Sequence, residues 1–457
     1  MAADPWHIAL SRTAHESGFT TFFLTLALLA LQRSGLLPSA DGDAAANYPA
    51  TGRAQTWAFL AGLMLAANTW AYPATRLFTP LLAIAGVVIY RSHYRALWRT
   101  SATRKTLAAV TSGLLLGALP LVVTAASHPE HLAARARATL LTQKDLPPAT
   151  TCLAFIHNFA ENLDPRYLFL QCDEMSGASI PGVGLHLPVL VPLLVIGLAS
   201  IAAARKRSPW SRFLMAWLLL YPLPAAICAD WNPHPLRTVG GMVWFPIIAA
   251  IGGHWILACA TKHLQRWRRP AASLAATAVV ANLAHFAHAY YREFPLLARP
   301  GYQAALVEAC QVVTRQVSDE DEFILVTNYS NQPYIYALLY HPIGPSELAT
   351  REMAVAEGRL GFHQVLKIGR YFFPPRDDSP EAWRGFQELW GALPPAAQGL
   401  LIFYEKHPGQ APPGQILAHF ARIPVGDPRS DGPALVVCRW RPRSGTTHPL
   451  LRAATPH

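Results

Sequence analysis

The chain has 457 residues, of which 52% are hydrophobic and 14% charged, and its formal net charge is +11. Mean hydropathy is +0.21, an average over two unlike regions that suits a membrane protein carrying a water-soluble part. The positive charge is not a nucleic-acid signature, because no basic stripe is interleaved with aromatics. Six cysteines in 457 residues do not make a disulfide scaffold. Without CxxC or zinc-type His/Cys spacing, no structural zinc site is expected.

Residues 1–17 lack a basic stretch followed by an apolar core, so no cleavable signal peptide is visible. Within them DPWHIALSRTAHESG places Arg12 and Glu16 four apart, the spacing of a helical ion pair, with a structural His15 beside them. Apolar runs then follow at 18–33, 56–72, 75–90, 106–126, 184–204, 211–229, 238–259 and 272–291. Runs of about 17 to 25 apolar residues are what a helix needs to cross roughly 30 Å of hydrocarbon, and about eight spans are expected here.

Every second loop is basic. Arg91, Arg95, Arg99, Arg104 and Lys105 fill one; Arg205, Lys206, Arg207 and Arg212 the next; Lys262, Arg266, Arg268 and Arg269 the third. The positive-inside rule makes these cytoplasmic and puts residues 1–17, loop 127–183, the loop from Asp230 and everything after Tyr291 outside.

Two outer loops carry the polar detail. The larger, 127–183, holds Asp173 and Glu174 with Glu161, Asp164 and Arg166 upstream. Paired acids can serve as a general base or hold a metal, so a divalent metal stays open, and a solvated loop surface explains the same residues. Cys152 and Cys172 share this loop, where an oxidising compartment could pair them or leave two free thiols. The smaller loop, DWNPHPLRTVGGM from Asp230, leads into an apolar helix. A polar loop at a helix start favours anions, because free N–H groups and the helix dipole point at it. Arg237 and His234 stand there with Asp230. A guanidinium fork binds phosphate bidentately; the competing reading is an arginine anchored at the headgroups.

Cys228 and Cys259 read as packing residues. Asn282, His285 and His288 fall near one face of the last apolar helix, which is expected to pack inward there. The outer domain, 292–457, has mixed α/β texture. Strands are expected at 322–327, 400–404 and 434–439, helices at 302–317 and 414–421, and a solvated turn at Ser318–Glu322 (SDEDE).

In order along residues 4–310, the blocks PWHIALSRTAHES, NTWAYPATRLFTPLL, HNFAENLDPRYLF with IPGVGLHLPVLVPLLVIGL, NPHPLRTVGGMVWFPIIAAIGG and AYYREFPLLARPGYQAAL resemble bacterial membrane glycosyltransferases. The family is the dolichyl-phosphate-mannose-protein mannosyltransferase type of the GT-C superfamily. The fold expected is an α-helical polytopic membrane protein of about eight spans, GT-C-like, with a C-terminal mixed α/β soluble domain.

The resemblance implies an inner-membrane enzyme that moves a sugar from a polyprenyl-phosphate donor to an acceptor on the outer face. Such enzymes are inverting and metal-independent or variably metal-dependent. Arg237 and His234 would then lie near the donor phosphate, and loop 127–183 would help cover a lipid-facing cavity. The family's acidic motif, which follows a first helix, has no counterpart here, and the charge count puts residues 1–17 outside. An odd number of helices is therefore expected upstream, in a truncated copy, a chain completed by a partner subunit, or a non-catalytic relative. A transporter or flippase component and an envelope assembly protein are the alternatives from other classes. The first would show an internal repeat, and none is visible.

Overall fold

The computed structural model describes residues 4–13, 15–38, 52–129, 139–144, 146–172, 179–180, 182–206, 208–263, 266, 268–326, 332–340, 353–357, 363–375, 380–394, 396–405, 414–428 and 432–442. It divides into two compact units, Met1–Arg292 and Glu293–His457.

In the first unit each of the eight apolar runs is helical: Gly18–Arg33, Gly52–Ala71, Thr75–Ile89, Ser101–Ser127, Val191–Ala204, Pro209–Leu220, Gly241–His263 and Arg268–His288. Local chemistry sets their starts. Thr100 caps Ser101–Ser127 by accepting the Thr103 N–H, and Ser208 caps Pro209–Leu220, which begins on the proline suited to a first helical position. Among the described residues only Thr103–Ser127, Gly241–Ala260 and Arg269–Leu297 are both long and apolar enough to cross a membrane; Gly18–Arg33, Thr75–Ile89 and Pro188–Ala204 are apolar but shorter. By length and composition, three helices among the described residues thus have membrane-spanning character, where the apolar runs led to an expectation of about eight. Sixteen residues of α-helix, as in Gly18–Arg33, reach only about 24 Å.

Small residues let these helices touch backbone to backbone. A Cβ on Gly62 would run into the Val110 carbonyl of the facing helix, and one on Gly252 into the Leu193 carbonyl. Such contacts suit association in lipid, where apolar side chains gain nothing by leaving hydrocarbon.

Contacts also sort the connecting segments into two groups. At one end His93 Nε2 lies 3.1 Å from the Gly35 carbonyl, Leu36, Ala58 and Leu97 pack together, and Tyr90 meets Phe213. At the other end the N-terminal helix Pro5–Arg12, the residues after Ala71, segment 139–187 and segment 226–242 converge. Trp6 N–H donates to Leu185 (3.0 Å) and Ala229 N–H to Thr139 (2.8 Å).

The second unit is a seven-stranded sheet in the order β2-β3-β4-β1-β5-β7-β6. The strands are β1 Phe323–Val326, β2 Met353–Glu357, β3 His363–Ile368, β4 Tyr371–Phe372, β5 Gly399–Glu405, β6 Gly414–Pro424 and β7 Ala434–Pro442. β1 runs parallel to β4 and β5, and the other pairs are antiparallel. The central run FILV is buried on both faces. Ile324 and Val326 pack with Leu306, Ala309 and Val313 of the helix Ala304–Gln316; Phe323 and Leu325 pack with Phe386 of the helix Pro380–Gly391. That two-sided cover explains why the strand reads as a continuous apolar run rather than an alternation.

Two expectations for this unit are corrected. Residues 414–421 are not helical but part of β6. The strand pairs with β7 through register shifts between Ile416 and Ala418 and between His419 and Ala421. Each bulge adds a residue and breaks the period of two, so the apolar positions imitate a helical spacing. The acidic run SDEDE is not wholly solvated either. Asp321 is buried, and its carboxylate binds Arg439 Nε and Nη2 at 3.0 Å each and the Ser318 N–H at 2.9 Å.

Candidate functional site

The most ordered polar constellation of the first unit is built on the loop before Gly241–His263. The helix Pro148–Glu161 and the residue after it supply the frame. Asn158 Nδ2 donates to the carbonyls of Cys228 (2.8 Å) and Ala226 (3.3 Å). Asn162 is fully buried. Its Nδ2 donates to Asn232 Oδ1 (3.1 Å), its Oδ1 accepts the His234 N–H (3.0 Å), and Tyr221 reaches its carbonyl. Two asparagines thus satisfy both sides of a tight loop that contains a cis Asn232–Pro233 bond. Buried amide groups persist only when partnered in this way. The loop closes on itself through Thr238 Oγ1, which donates to the His234 carbonyl at 3.0 Å.

This frame holds Arg237 against Asp230. Nη1 donates to Asp230 Oδ1 at 2.9 Å and Nη2 to Oδ2 at 2.8 Å, a fork-to-fork pair, with a further bond from Nη1 to the Asp230 carbonyl at 3.1 Å. The burial is lopsided: the guanidinium is 8% exposed and the carboxylate 40%. Burial alone would raise the Asp230 carboxyl, but the hydrogen bonds and charge of Arg237 outweigh it and hold the group below the ordinary carboxylate range. Burial likewise pulls against the Arg237 charge, and the same bonds to Asp230 reverse the sign. His234 is buried beside them and Tyr72 acts on the Arg237 charge. Tyr72 in turn meets the edge of His15, ring centroids 5.6 Å apart.

Arg237, His234 and Asp230, expected together on sequence position, therefore sit in one hydrogen-bonded loop. Asp173 and Glu174 lie outside the described residues. Of their neighbours, Asp164 caps the helix Pro165–Phe169 by accepting the Arg166 N–H at 2.8 Å, and Glu161 pairs with His157 at 3.1 Å. Both have local structural work. No group of three or more His, Cys, Asp or Glu that could hold a metal occurs among the described residues. Cys152 is exposed and Cys172 buried, and no disulfide joins them.

Other expectations near this end change. The first helix stops at Arg12, so Arg12 and Glu16 never share a helical turn; Arg12 instead lies over the Tyr290 ring at 5.2 Å. On the last apolar helix Asn282 does pack inward, accepting the Val189 N–H at 3.2 Å, whereas His285 and His288 are exposed. The inward face is set by Asn282, Phe286 and Ala289, at i, i+4 and i+7.

Sequence reasoning missed two groups here. Asp4 and His186, 182 residues apart, form a buried pair with Asp4 Oδ1 and His186 Nδ1 at 2.9 Å. Arg76 is half-buried, and its Nε has no hydrogen-bond partner. No local spacing announces the first, and a lone arginine at a helix start announces nothing about its partners.

Comparison of the chain with protein-family models, with curated proteins and with solved structures returns no match.

Proposed function

We propose that the protein is a bacterial inner-membrane glycosyltransferase that takes a sugar from a polyprenyl-phosphate donor and passes it to an acceptor on the outer face of the membrane, where its C-terminal unit also lies. The reading rests on the ordered sequence blocks and on one structural observation, the lopsided Arg237–Asp230 pair. A buried guanidinium whose partner carboxylate is 40% exposed is a cation already fixed in place. If the carboxylate swings aside, the fork can take two oxygens of a phosphate from the water side.

In such a transfer the acceptor oxygen gives up its proton to a carboxylate base and attacks the sugar C1. The bond from C1 to the phosphate oxygen breaks, and the electron pair leaves with the phosphate. A guanidinium fork fixed at that oxygen stabilises the charge that develops there. Arg237 takes this role, with His234 beside it. Trp231, 72% exposed and next to Asp230 in the chain, offers an aromatic face at the same loop. The acid that orients the acceptor is sought at Asp173 and Glu174.

The test measures donor binding and sugar transfer in membranes bearing the full chain and defined polyprenyl-phosphate sugars. Arg237→Ala is expected to weaken donor binding about 10- to 100-fold, the range of a hydrogen bond to a charged group. Unchanged binding and transfer in that variant would remove Arg237 from the site. Vectorial movement of the lipid without sugar transfer would assign the chain to transport instead.

A further inference from the structure

The first unit has an apolar cavity of about 400 Å³ between Gly18–Arg33, Gly52–Ala71 and Ser101–Ser127, open on one side. Phe19 and Phe23, one turn apart and stacked at 6.2 Å, form one wall. Leu63 and Ala67 form the other, and Gly117 lies in the floor. The Trp70 indole is pinned there because its N–H donates to the Gly117 carbonyl at 3.1 Å. That bond spends its polar edge and leaves the ring as apolar lining. From Ala71 back to Leu63 the groove follows its helix for about 12 Å.

The polar end of this groove is Glu16, its single charged lining residue. The carboxylate is 62% exposed, and His15 Nδ1 lies 3.6 Å from it. That histidine nitrogen accepts the Ser17 N–H at 3.2 Å. A groove with one anionic group at the mouth and apolar walls below is complementary to a molecule with a cationic head and a hydrocarbon chain.

We propose that this groove holds one acyl chain of a membrane phospholipid whose primary-ammonium headgroup, as in phosphatidylethanolamine, pairs with Glu16. The assignment rests on the membrane residence of this unit and is independent of sugar transfer. The site would act as a lipid-selective seam between three helices that otherwise touch through small residues.

The full chain is reconstituted in bilayers of equal phosphatidylethanolamine and phosphatidylglycerol, extracted in mild detergent, and its retained lipids are counted by native mass spectrometry. Retained lipid should favour phosphatidylethanolamine about fourfold, the weight of a solvent-exposed ion pair. Glu16→Gln should return the ratio to that of the bilayer while keeping the amount of lipid. Ala67→Phe, which fills the groove away from the charge, should remove about one retained lipid per chain, as expected of a cavity whose volume is taken by an aromatic ring. Three results overturn the proposal: no headgroup preference in the unaltered chain, a preference that survives Glu16→Gln, or equal retention in Ala67→Phe. Failure of Arg237→Ala to affect sugar transfer would leave these outcomes untouched, so the two readings fail separately.

Discussion

Among the described residues each unit holds a bidentate arginine–aspartate pair, and the two pairs are buried in opposite senses. In the sheet unit the Asp321 side chain is 0% exposed and Arg439 27%. In the helical unit Arg237 is 8% exposed and Asp230 40%. The buried partner is the one whose charge the fold has committed to hold, because an uncompensated buried charge costs far more than an exposed one. The sheet unit has therefore buried an anion and clasped it with Ser318 and Arg439 for the sake of the strands around it. The helical unit has buried a cation and left its anion facing out. The pairing runs through Nε and Nη2 of Arg439 in the sheet unit, where it serves structure, and through Nη1 and Nη2 of Arg237 in the helical unit, the cation proposed to meet the donor phosphate.

The contrast breaks most visibly if the two pairs respond alike to losing their outer partner. Arg439→Ala leaves the Asp321 carboxylate buried with only the Ser318 donors, at 2.9 and 3.0 Å. Removing one member of a buried pair costs about 3 to 5 kcal/mol, and the retained serine bonds favour the lower end. Hydrogen exchange of the full chain should show β1 and β7 amides losing protection by about two orders of magnitude, and added inorganic phosphate should restore none of it. A change under about 1 kcal/mol would mean that Asp321 is not the committed charge, since that is the scale of a surface pair.

Asp230→Asn is the matching experiment in the helical unit. Its expected cost is smaller, about 1.5 kcal/mol, because a half-exposed carboxylate is replaced by an amide that still accepts one hydrogen bond. The decisive feature is rescue. With the carboxylate gone, Arg237 keeps the Asp230 carbonyl at 3.1 Å and an open fork, so millimolar inorganic phosphate should recover the lost stability by mass action. Thermal unfolding followed against phosphate concentration reads this directly. Equal insensitivity to phosphate in Asp230→Asn and in the unaltered chain would make the loop pair as structural as its counterpart in the sheet.

How much of this was legible in the residues differs by unit for physical reasons. Apolar runs and basic loops report on single segments, so a helix of the first unit falls in each of the eight runs. Whether each run is long enough for a bilayer depends on where a few end residues lie, which hydropathy alone leaves open. The Arg237 loop was legible because its members lie within eight residues of one another. The Asn158–Asn162 frame and the Asp4–His186 pair were not, since they join segments separated by about 70 and by 182 residues. In the sheet unit the strands buried on both faces stood out as apolar runs. β2, β3 and β4 did not; lying between the central β1 and the sheet edge, they are only partly buried and lack a continuous apolar run. β6 was misread because its two bulges shift the apolar positions off the alternation.

The smallest expected effect concerns acid, and its sign separates the units by pH window. Asp321 is held below the ordinary carboxyl range: burial alone would raise it, and the bonds to Arg439 and Ser318 more than offset that. A depressed carboxyl contributes stability that is complete above its unfolded value near 3.9 and is lost as pH falls through the native value, so the sheet unit should weaken from this group only below about pH 4. The helical unit has an earlier contribution. His7 is held below the ordinary histidine value, first by burial, against the opposing pull of Asp4 and the Met242 carbonyl, and with His186 adding to the lowering. A histidine kept neutral by the fold stabilises fully above the unfolded value near 6.5, and that stability drains as pH falls because the unfolded chain takes up the proton more readily. Exchange rates corrected for their intrinsic acid dependence should therefore show the Pro5–Arg12 helix and its Met242 contact loosening between about pH 6.5 and 5, while β1 and β7 hold until about pH 4. His7→Gln, which can still donate to the Met242 carbonyl, should flatten the first window and leave the second in place. If both units loosen together near pH 4, the N-terminal helix draws no stability from a neutral His7, and its docking depends instead on the buried Asp4–His186 contact.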